Sequence, residues 1–369
     1  MKKIMLFFCL LLAGIPVVQA QKSVILSSPL VLVEYQVISL SPNGKWACGN
    51  INDGYPRGFR WDLTTGEVLE LSPMGSNSTA LCVANDGTVA GTFMDDEALP
   101  NHATIECAGY WRAGRWHHVG NGFIDPVKRE GDGTVAYAIS PNAKYLGGLA
   151  LIDNCYTPVA WNLETGEMTK YFIHKNANGQ GAGSIYAITD DGVAAGYSYH
   201  PVKMNRTPTI WTTPTDTLLP AYEMVGPFCS AGHISSDGTK VLCYDRVVDL
   251  STPEHKATKV ASFDNLFSFE FSTVNNNGTV GGYTQTDMMA ASGATFIKDG
   301  QMVSAASYLE GLGVDLSNYL AVVRAYGISD DEKTFAFMAY DKDEVIRSIV
   351  VKIDQNTTNP APVGLRAHA

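Results

Sequence analysis

Basic residues are scarce in this chain. Its 369 residues contain 26 Lys and Arg against 37 Asp and Glu, a formal net charge of −11. No stretch concentrates Lys or Arg into a stripe, and a phosphate-backbone ligand requires such a concentrated cationic surface. We therefore predict that the protein does not bind nucleic acid.

Long apolar runs are missing beyond the first residues. No later segment approaches the roughly 20 uninterrupted apolar residues of a spanning helix, so no membrane-spanning segment is predicted. A Met-Lys-Lys start, an apolar run over residues 4–18 and a Val-Gln-Ala site at 18–20 are typical of a cleaved signal peptide. We predict a signal peptide over 1–20 and an exported chain that is periplasmic, at the cell surface or extracellular. Its removal would take the net charge from −11 to near −13.

Familiar catalytic motifs are also absent from the sequence. It has no zinc-protease pair of histidines around a Glu, no Gly-x-Ser-x-Gly, no phosphate loop and no Cys-x-x-Cys. His117 and His118 are adjacent on a predicted strand, where alternation directs them to opposite faces. The acidic group at 95–97 offers oxygen ligands for Ca²⁺, although a solvated loop is the simpler interpretation. No cofactor is predicted, and calcium is left open at this group.

Cysteine is sparse once Cys9 is removed with the signal peptide. Six then remain: Cys48, Cys82, Cys107, Cys155, Cys229 and Cys243. An oxidising, exported setting permits disulfides among them, but the sequence does not choose their pairing. Cys48 and Cys243 lie in glycine-containing apolar runs, where a small buried thiol also fits. Disulfides and free core thiols both remain open.

A phrase repeated seven times is the main feature that the chain does contain. Each copy has an apolar residue with Ser, Thr or Asn, a tight turn, a glycine-containing apolar run and, in most copies, an aromatic residue before a second turn. The copies begin at intervals of 40 to 56 residues, near Ile38, Val83, Ile139, Ile188, Ile234, Val274 and Ile328. Such intervals, with several strand-like runs and few helical phrases, are typical of a β-propeller.

Each copy predicts four short strands. The Asn/Asp-Gly turn supplies the positive φ of a tight hairpin, and the glycines of the second strand suit close backbone approach near a crowded axis. The third strand carries an aromatic residue that we expect to pack between blades: Trp61, Trp111, Trp161, Trp211 and, in the sixth copy, Phe296.

We predict an all-β fold, a seven-bladed β-propeller of four-stranded antiparallel blades over residues 21–354. The fifth and seventh copies lack the aromatic residue, so six or eight blades also fit. The strand-like segment 24–37 is expected to supply the inner strand of the first blade and to pair with the last blade. Such pairing closes the ring and removes a free sheet edge.

Short motifs in the repeats resemble known classes. Residues 187–197, followed by Ile210 and Trp211, resemble the secreted repeats known as HAF repeats, and residues 40–45 and 61–63 more distantly resemble WD40-type blades. The resemblance covers about residues 35–354 and implies the propeller fold, while the poorly defined function of the HAF class adds no activity. Residues 360–367 resemble the start of a fibronectin type III module. Residues 355–369 are therefore a linker and tail or the truncated start of a further module.

Loop lengths provide the one positive indication of function. The turns between strands one and two, and between strands three and four, stay short, whereas the other two kinds of connection vary widely and emerge together on one face. Binding residues concentrate on variable loops of a rigid scaffold. We predict a binding site on this face, around the mouth of the central channel, with candidate contacts Met94, His102, Tyr156, Tyr199, His200, Phe228 and Phe267.

Two functions fit these observations. The first is a non-catalytic extracytoplasmic binding or scaffold propeller that recognises a protein or a glycan through this face. The second is a hydrolase or lyase that acts on surface polysaccharide or peptide at the channel mouth. A histidine converging with two carboxylates would favour the enzyme, and scattered groups would favour the binding protein.

Overall fold

The predicted propeller is confirmed, with seven four-stranded antiparallel blades and, among the described residues, one short helix. The computed structural model describes residues 22–27, 34–52, 56–72, 77–95, 105–119, 133–220, 223–226, 230–290 and 292–354. Each blade is a separate sheet whose strands are hydrogen-bonded in order. The degenerate fifth copy forms a complete blade, so seven is the correct count.

Six blades follow one another along the chain, and the first strand of each lines the central channel. Their strands are β2 (Glu34–Leu40), β3 (Trp46–Asn52), β4 (Pro56–Asp62) and β5 (Val68–Glu70) in blade 1; β6 (Ser78–Val83), β7 (Val89–Asp95), β8 (Ile105–Arg112) and β9 (Arg115–His118) in blade 2; β10 (Thr134–Ile139), β11 (Tyr145–Ile152), β12 (Cys155–Asn162) and β13 (Met168–Lys170) in blade 3; β14 (Gly183–Ile188), β15 (Ala194–Tyr199), β16 (Arg206–Trp211) and β17 (Thr217–Leu218) in blade 4; β18 (Ala231–Ile234), β19 (Lys240–Cys243), β20 (Arg246–Asp249) and β21 (Ala257–Lys259) in blade 5; and β22 (Ser268–Val274), β23 (Val280–Gln285), β24 (Gly293–Lys298) and β25 (Gln301–Ser304) in blade 6.

Blade 7 joins the two ends of the described chain. It consists of β26 (Tyr319–Ile328), β27 (Thr334–Asp341) and β28 (Ile346–Asp354), with β1 (Lys22–Ser27) as its outer strand. β1 runs antiparallel to β28, which confirms that the N-terminal segment closes the ring. The connection before blade 7 contains the helix α1 (Ala305–Gly311).

Every inner strand contains a β-bulge at the same register, and β26 has two further register shifts. The seven bulged residues all line the channel: Ile38, Leu81, Tyr137, Tyr186, Gly232, Ser272 and Tyr326. Beside the bulge the first two strands approach so closely that a Cβ on Gly91 would lie 1.7 Å from the carbonyl oxygen of Thr79. The predicted role of these glycines is therefore confirmed, and the extra residue of each bulge is directed into the channel.

Tryptophans of the third strands fill the seams between blades, as predicted. Trp161 is 2% exposed and Trp211 is fully buried, and each belongs to a cluster that includes residues of the preceding blade. Trp211 packs with Ala138 and Ala160 of blade 3, for example. Trp61, Trp111, Trp161 and Trp211 thereby each fill one seam with a large apolar side chain.

The prediction for the sixth blade was wrong by one residue. Ile297 pairs with Val280 in the register that the tryptophans occupy, and Phe296 precedes it. Because side chains alternate across a strand, Phe296 faces the next blade, where it packs against Phe335 and Phe337. Phe296 is therefore buried in the seam between blades 6 and 7, whereas the register of the tryptophans faces the preceding blade.

Polar side chains of the short turns link neighbouring blades. Asn43 donates its backbone N–H to Asn85 Oδ1 at 2.9 Å, and the Asn142 side chain donates to Asp190 at 2.8 Å. The ring continues to the last blade, where the Asp330 N–H donates to the carbonyl oxygen of Pro42 at 2.9 Å. These turns are hairpins, as predicted.

Of the two alternatives for the cysteines, the structure supports free core thiols rather than disulfides. Cys48, Cys82, Cys155 and Cys243 are free in the structure. Burial raises the pKa of Cys82 and of Cys243 to about 12, which keeps both thiols protonated and unreactive. Cys107 is also buried, and Cys229 lies outside the described residues.

Removal of β1 should destabilise the ring. Ile25 and Leu26 are partly buried against the clusters at the blade 7 and blade 1 seams, and burial of two such side chains stabilises by roughly 2–5 kcal/mol. A chain that begins at residue 28 should therefore unfold at lower temperature than one that begins at residue 21. It should also self-associate through the exposed edge of β28. Equal melting temperatures and equal elution volumes would show that β1 is dispensable for closure.

Acid should weaken the contact between blades 5 and 6. His233 Nδ1 accepts the Val274 N–H at 3.3 Å, and burial lowers the pKa of His233 from 6.5 to about 4. Because the unfolded chain then binds the extra proton, stability should fall by about 3 kcal/mol as the pH drops from about 6.5 to about 4. Urea unfolding across this range measures the loss. His233→Asn keeps an acceptor without the titration, so its curve should lack this component; identical pH dependence in both proteins would refute the assignment.

Candidate functional site

The central channel is a cavity of about 260 Å³ whose wall varies from blade to blade. Its bulged residues are aliphatic on blades 1 and 2 and tyrosine on blades 3, 4 and 7. Blades 5 and 6 instead supply Gly232 and Ser272. The bulged side chains that form the channel wall are therefore smallest at these two blades.

A second cavity adjoins the channel at blades 5 and 6. It measures about 520 Å³ and shares Tyr186, Gly232 and Ser272 with the channel wall. Its other lining residues come from blades 4, 5 and 6: Arg206, Ser230, Leu242, Tyr244, Phe269, Glu270 and Phe271. We term this cavity the mouth cleft.

The mouth cleft opens on the face of the variable connections, here termed the long-loop face. Arg206 begins β16, Tyr244 lies in the turn between β19 and β20, and Ser230 immediately precedes β18. Each of these positions belongs to, or borders, a connection between strands two and three or between blades. The cleft thus lies on the face that the loop lengths indicated.

The short fifth blade creates the mouth cleft. β18 has four residues, whereas the other inner strands have six to ten. A Cβ added to Gly232 would meet no atom within 4 Å. A shortened strand with no side chain at the bulge leaves a gap between blades 4 and 6.

Arg206 provides the positive charge of the cleft. Its guanidinium lies 4.2 Å from the centroid of the Tyr197 ring, a cation–π contact, and the Tyr186 side chain lies beside it. Burial is the main cause that raises the pKa of Tyr186 to about 12, so this hydroxyl remains protonated. Within the described ranges, no carboxylate forms an ion pair with Arg206.

The opposite wall is aromatic with one paired carboxylate. Tyr244 and Phe269 have ring centroids 5.3 Å apart, and Phe263 stacks on Phe269 at 4.3 Å. Glu270 forms an ion pair with Arg324, yet its side chain remains 53% exposed. The cleft therefore combines a cation, flat apolar surfaces and a hydrogen-bond acceptor.

The structure places the predicted contacts on the long-loop face but outside the mouth cleft. Tyr156 and Phe267 are 53% and 57% exposed, and Met94 and Tyr199 are half-buried near the ends of β7 and β15. His200 is 2% exposed, and its Nδ1 accepts the N–H groups of two following residues at 3.1 Å. Its ring supports a turn rather than a ligand. The remaining two, His102 and Phe228, lie outside the described residues.

Sequence reasoning missed the residues that line the cleft. Arg206 and Tyr186 lie within regular strands, where loop length gives no signal. The fifth copy did carry a signal, since Gly232 stands at the bulge where other copies have a side chain. This glycine can be recognised as the bulged residue only when the register of the bulge is known from the structure.

Exposed apolar side chains cluster on the same face. Nine large ones are exposed among the described residues, and each lies in, or within two residues of, a connection of the long-loop face: Leu151, Tyr156, Phe172, Val202, Tyr244, Phe267, Met288, Met289 and Leu320. The described short turns at the other face contribute none of the nine. Such asymmetry is typical of an interaction surface.

Histidines and carboxylates do not converge in the part of the chain that the structure describes. No group of three or more His, Cys, Asp or Glu that could hold a metal ion occurs there. His117 stacks on Tyr110 with ring centroids 4.7 Å apart. The acidic side chains at 95–97, where calcium was left open, lie outside the described side chains.

The helical content also bears on membranes. Among the described residues, no helix has the length and apolar character needed to cross a membrane.

Comparisons with known proteins identify the fold. Neither a protein-family model nor a curated protein matches the chain. Among solved structures, an oligogalacturonate lyase from Vibrio parahaemolyticus is similar at 10% identity and a TM-score of 0.51, over 91% of this chain and 99% of that one. The β-propeller domain of the Trilobed protease from Pyrococcus furiosus matches at 11% identity and a TM-score of 0.48, over 89% and 100%. A putative TolB from Agrobacterium tumefaciens matches at 12% and 0.37, over 74% and 80%. At such low identity, the likeness to the lyase shows a shared propeller fold.

Proposed function

We propose that this chain is a non-catalytic, extracytoplasmic binding propeller that recognises a protein or a glycan through its long-loop face, with the mouth cleft as the central site. One observation carries the proposal: Arg206, without an acidic partner in the described structure, faces an aromatic-walled cavity. The exposed apolar side chains lie on the same face. Concave sites of 300–1,000 Å³ with few polar groups are typical of ligand binding.

The scaffold supports a preformed site. Apart from Ser230, which precedes β18, and Tyr244, in the turn between β19 and β20, the lining residues lie on strands. These strands are held by seam packing and by hydrogen bonds between the short turns of the opposite face. A ligand would therefore not have to order these groups when it binds, which favours affinity.

Binding fits the described chemistry better than catalysis does. His233 is bonded to the Val274 amide, and no cluster of acids and histidines meets it in the described residues. Tyr186, with its raised pKa, is a poor base near neutral pH. These observations favour recognition over the hydrolase or lyase alternative.

Export belongs to the proposal. The signal-peptide pattern over residues 1–20 supports it, and so does the resemblance to secreted HAF repeats. Residues 1–21 and 355–369, with their leader and fibronectin-like patterns, lie outside the described residues.

Filling the cleft should abolish binding. Gly232→Trp places a large ring in open space without a backbone clash, so we expect at least a tenfold loss of affinity, about 1.4 kcal/mol, at an unchanged melting temperature. Residues 21–354 should be screened against glycan and surface-protein arrays, with and without calcium, and the best ligand titrated by calorimetry.

Gly311→Trp is the matched control, because Gly311 is also open but lies at the exposed end of α1. It should bind like the parent. Full affinity in Gly232→Trp would place the site elsewhere. Conversion of the bound ligand to products, detected by mass spectrometry and lost in Gly232→Trp, would establish the enzyme instead.

A further inference from the structure

We infer that the mouth cleft binds the carboxylate of an acidic sugar at the end of a glycan, with Arg206 as its counter-ion. The inference rests on the proposed function, since it requires the cleft to be the ligand site. It adds the chemical class of the ligand and the residue that selects it.

Three of the described arginines, Arg60, Arg115 and Arg206, form no ion pair, and of these three Arg206 is the one that lines the mouth cleft. The others pair with a carboxylate: Arg57 with Glu70, Arg112 with Asp86, Arg246 with Glu223, Arg324 with Glu270 and Arg347 with Asp341. In a chain with 37 Asp and Glu, an arginine at the wall of a cavity without such a partner is conspicuous. A ligand carboxylate would supply the missing charge.

The guanidinium is held against an aromatic ring. It lies 4.2 Å from the centroid of the Tyr197 ring, and Tyr186 lines the same cleft. A planar guanidinium held in this way can offer two parallel N–H groups to a carboxylate. Lysine could supply the charge but not this geometry.

The rest of the lining suits a sugar ring. Phe269 offers a flat apolar surface for its C–H face. Ser230, Ser272 and the exposed carboxylate of Glu270 offer partners for hydroxyl groups. An extended peptide that adds as a strand would need a continuous strand edge to pair with, and each inner strand is interrupted by a bulge.

A single acidic terminus fits better than a polyanion. The net charge of −11 repels a chain of negative charges, and a cleft of about 520 Å³ is the size of a site for a small ligand. One cation in a small cleft can neutralise one carboxylate. We therefore expect recognition of the last sugar residue of a glycan.

The test uses matched oligosaccharides on residues 21–354. The probes are a panel of oligosaccharides that end in a uronic or sialic acid, the methyl ester of each, and the neutral hexose counterparts. Only the free acids should bind in calorimetry. Arg206→Gln should weaken their binding about 10- to 100-fold, and Arg206→Lys should recover part of the loss.

Arg112→Gln is the control, because Arg112 also lies on a third strand over a tyrosine ring but far from the cleft, beside a short turn. It should bind the acids like the parent. If a neutral glycan or a protein binds, is blocked by Gly232→Trp and ignores Arg206→Gln, the acidic-sugar inference fails while the proposed function stands. If Gly232→Trp leaves every ligand bound, the proposed function itself fails. Equal binding of acid and methyl ester, or no acid bound at all, also overturns the inference.

Discussion

The close approach of the first two strands beside each bulge is the constraint on which the rest of this propeller depends. A glycine such as Gly91 permits this approach in most blades, and the bulge then directs one extra side chain into the channel. Six such side chains shape the channel wall, and the seventh bulged residue is Gly232. Where that side chain is absent, at Gly232, the wall opens into the mouth cleft. The same backbone device that closes the fold around its axis thus also decides where a ligand could enter.

The two faces of the ring carry different chemistry. At the short turns, backbone and amide groups such as those of Asn43 and Asn85 form hydrogen bonds to each other. These hydrogen bonds hold neighbouring blades together. On the long-loop face, apolar side chains such as Met289 and Val202 are 88% and 77% exposed. The face of the short turns therefore links the blades of the ring, and the long-loop face carries the exposed apolar side chains. Arg206 at the centre of the second face supplies a positive charge on an otherwise acidic molecule.

Sequence reasoning predicted the blades well because their features are local and repeated. Turn glycines and seam tryptophans recur at one register, so Trp161 and Trp211 could be assigned to the seams without coordinates. Phe296 was misassigned because a shift of one residue moves a side chain to the other face of its strand. The described candidate contacts lie on the long-loop face but not in the mouth cleft, and Arg206 and Phe269 were missed because they lie within regular strands. Their proximity arises from blades 4 and 6 meeting across a shortened blade 5.

By itself, the sequence determined the all-β class, a repeat of four-stranded blades, the closure by the N-terminal strand and the face that carries the variable loops, while the structure settled the blade count at seven rather than six or eight. These follow from periodicity and turn chemistry, which act over a few residues. Tertiary structure decided which bulged residues share the channel wall, where that wall is open and which charge is left without a partner. Those properties depend on distances between residues tens of positions apart, such as Tyr186, Gly232 and Ser272, and no local pattern encodes them.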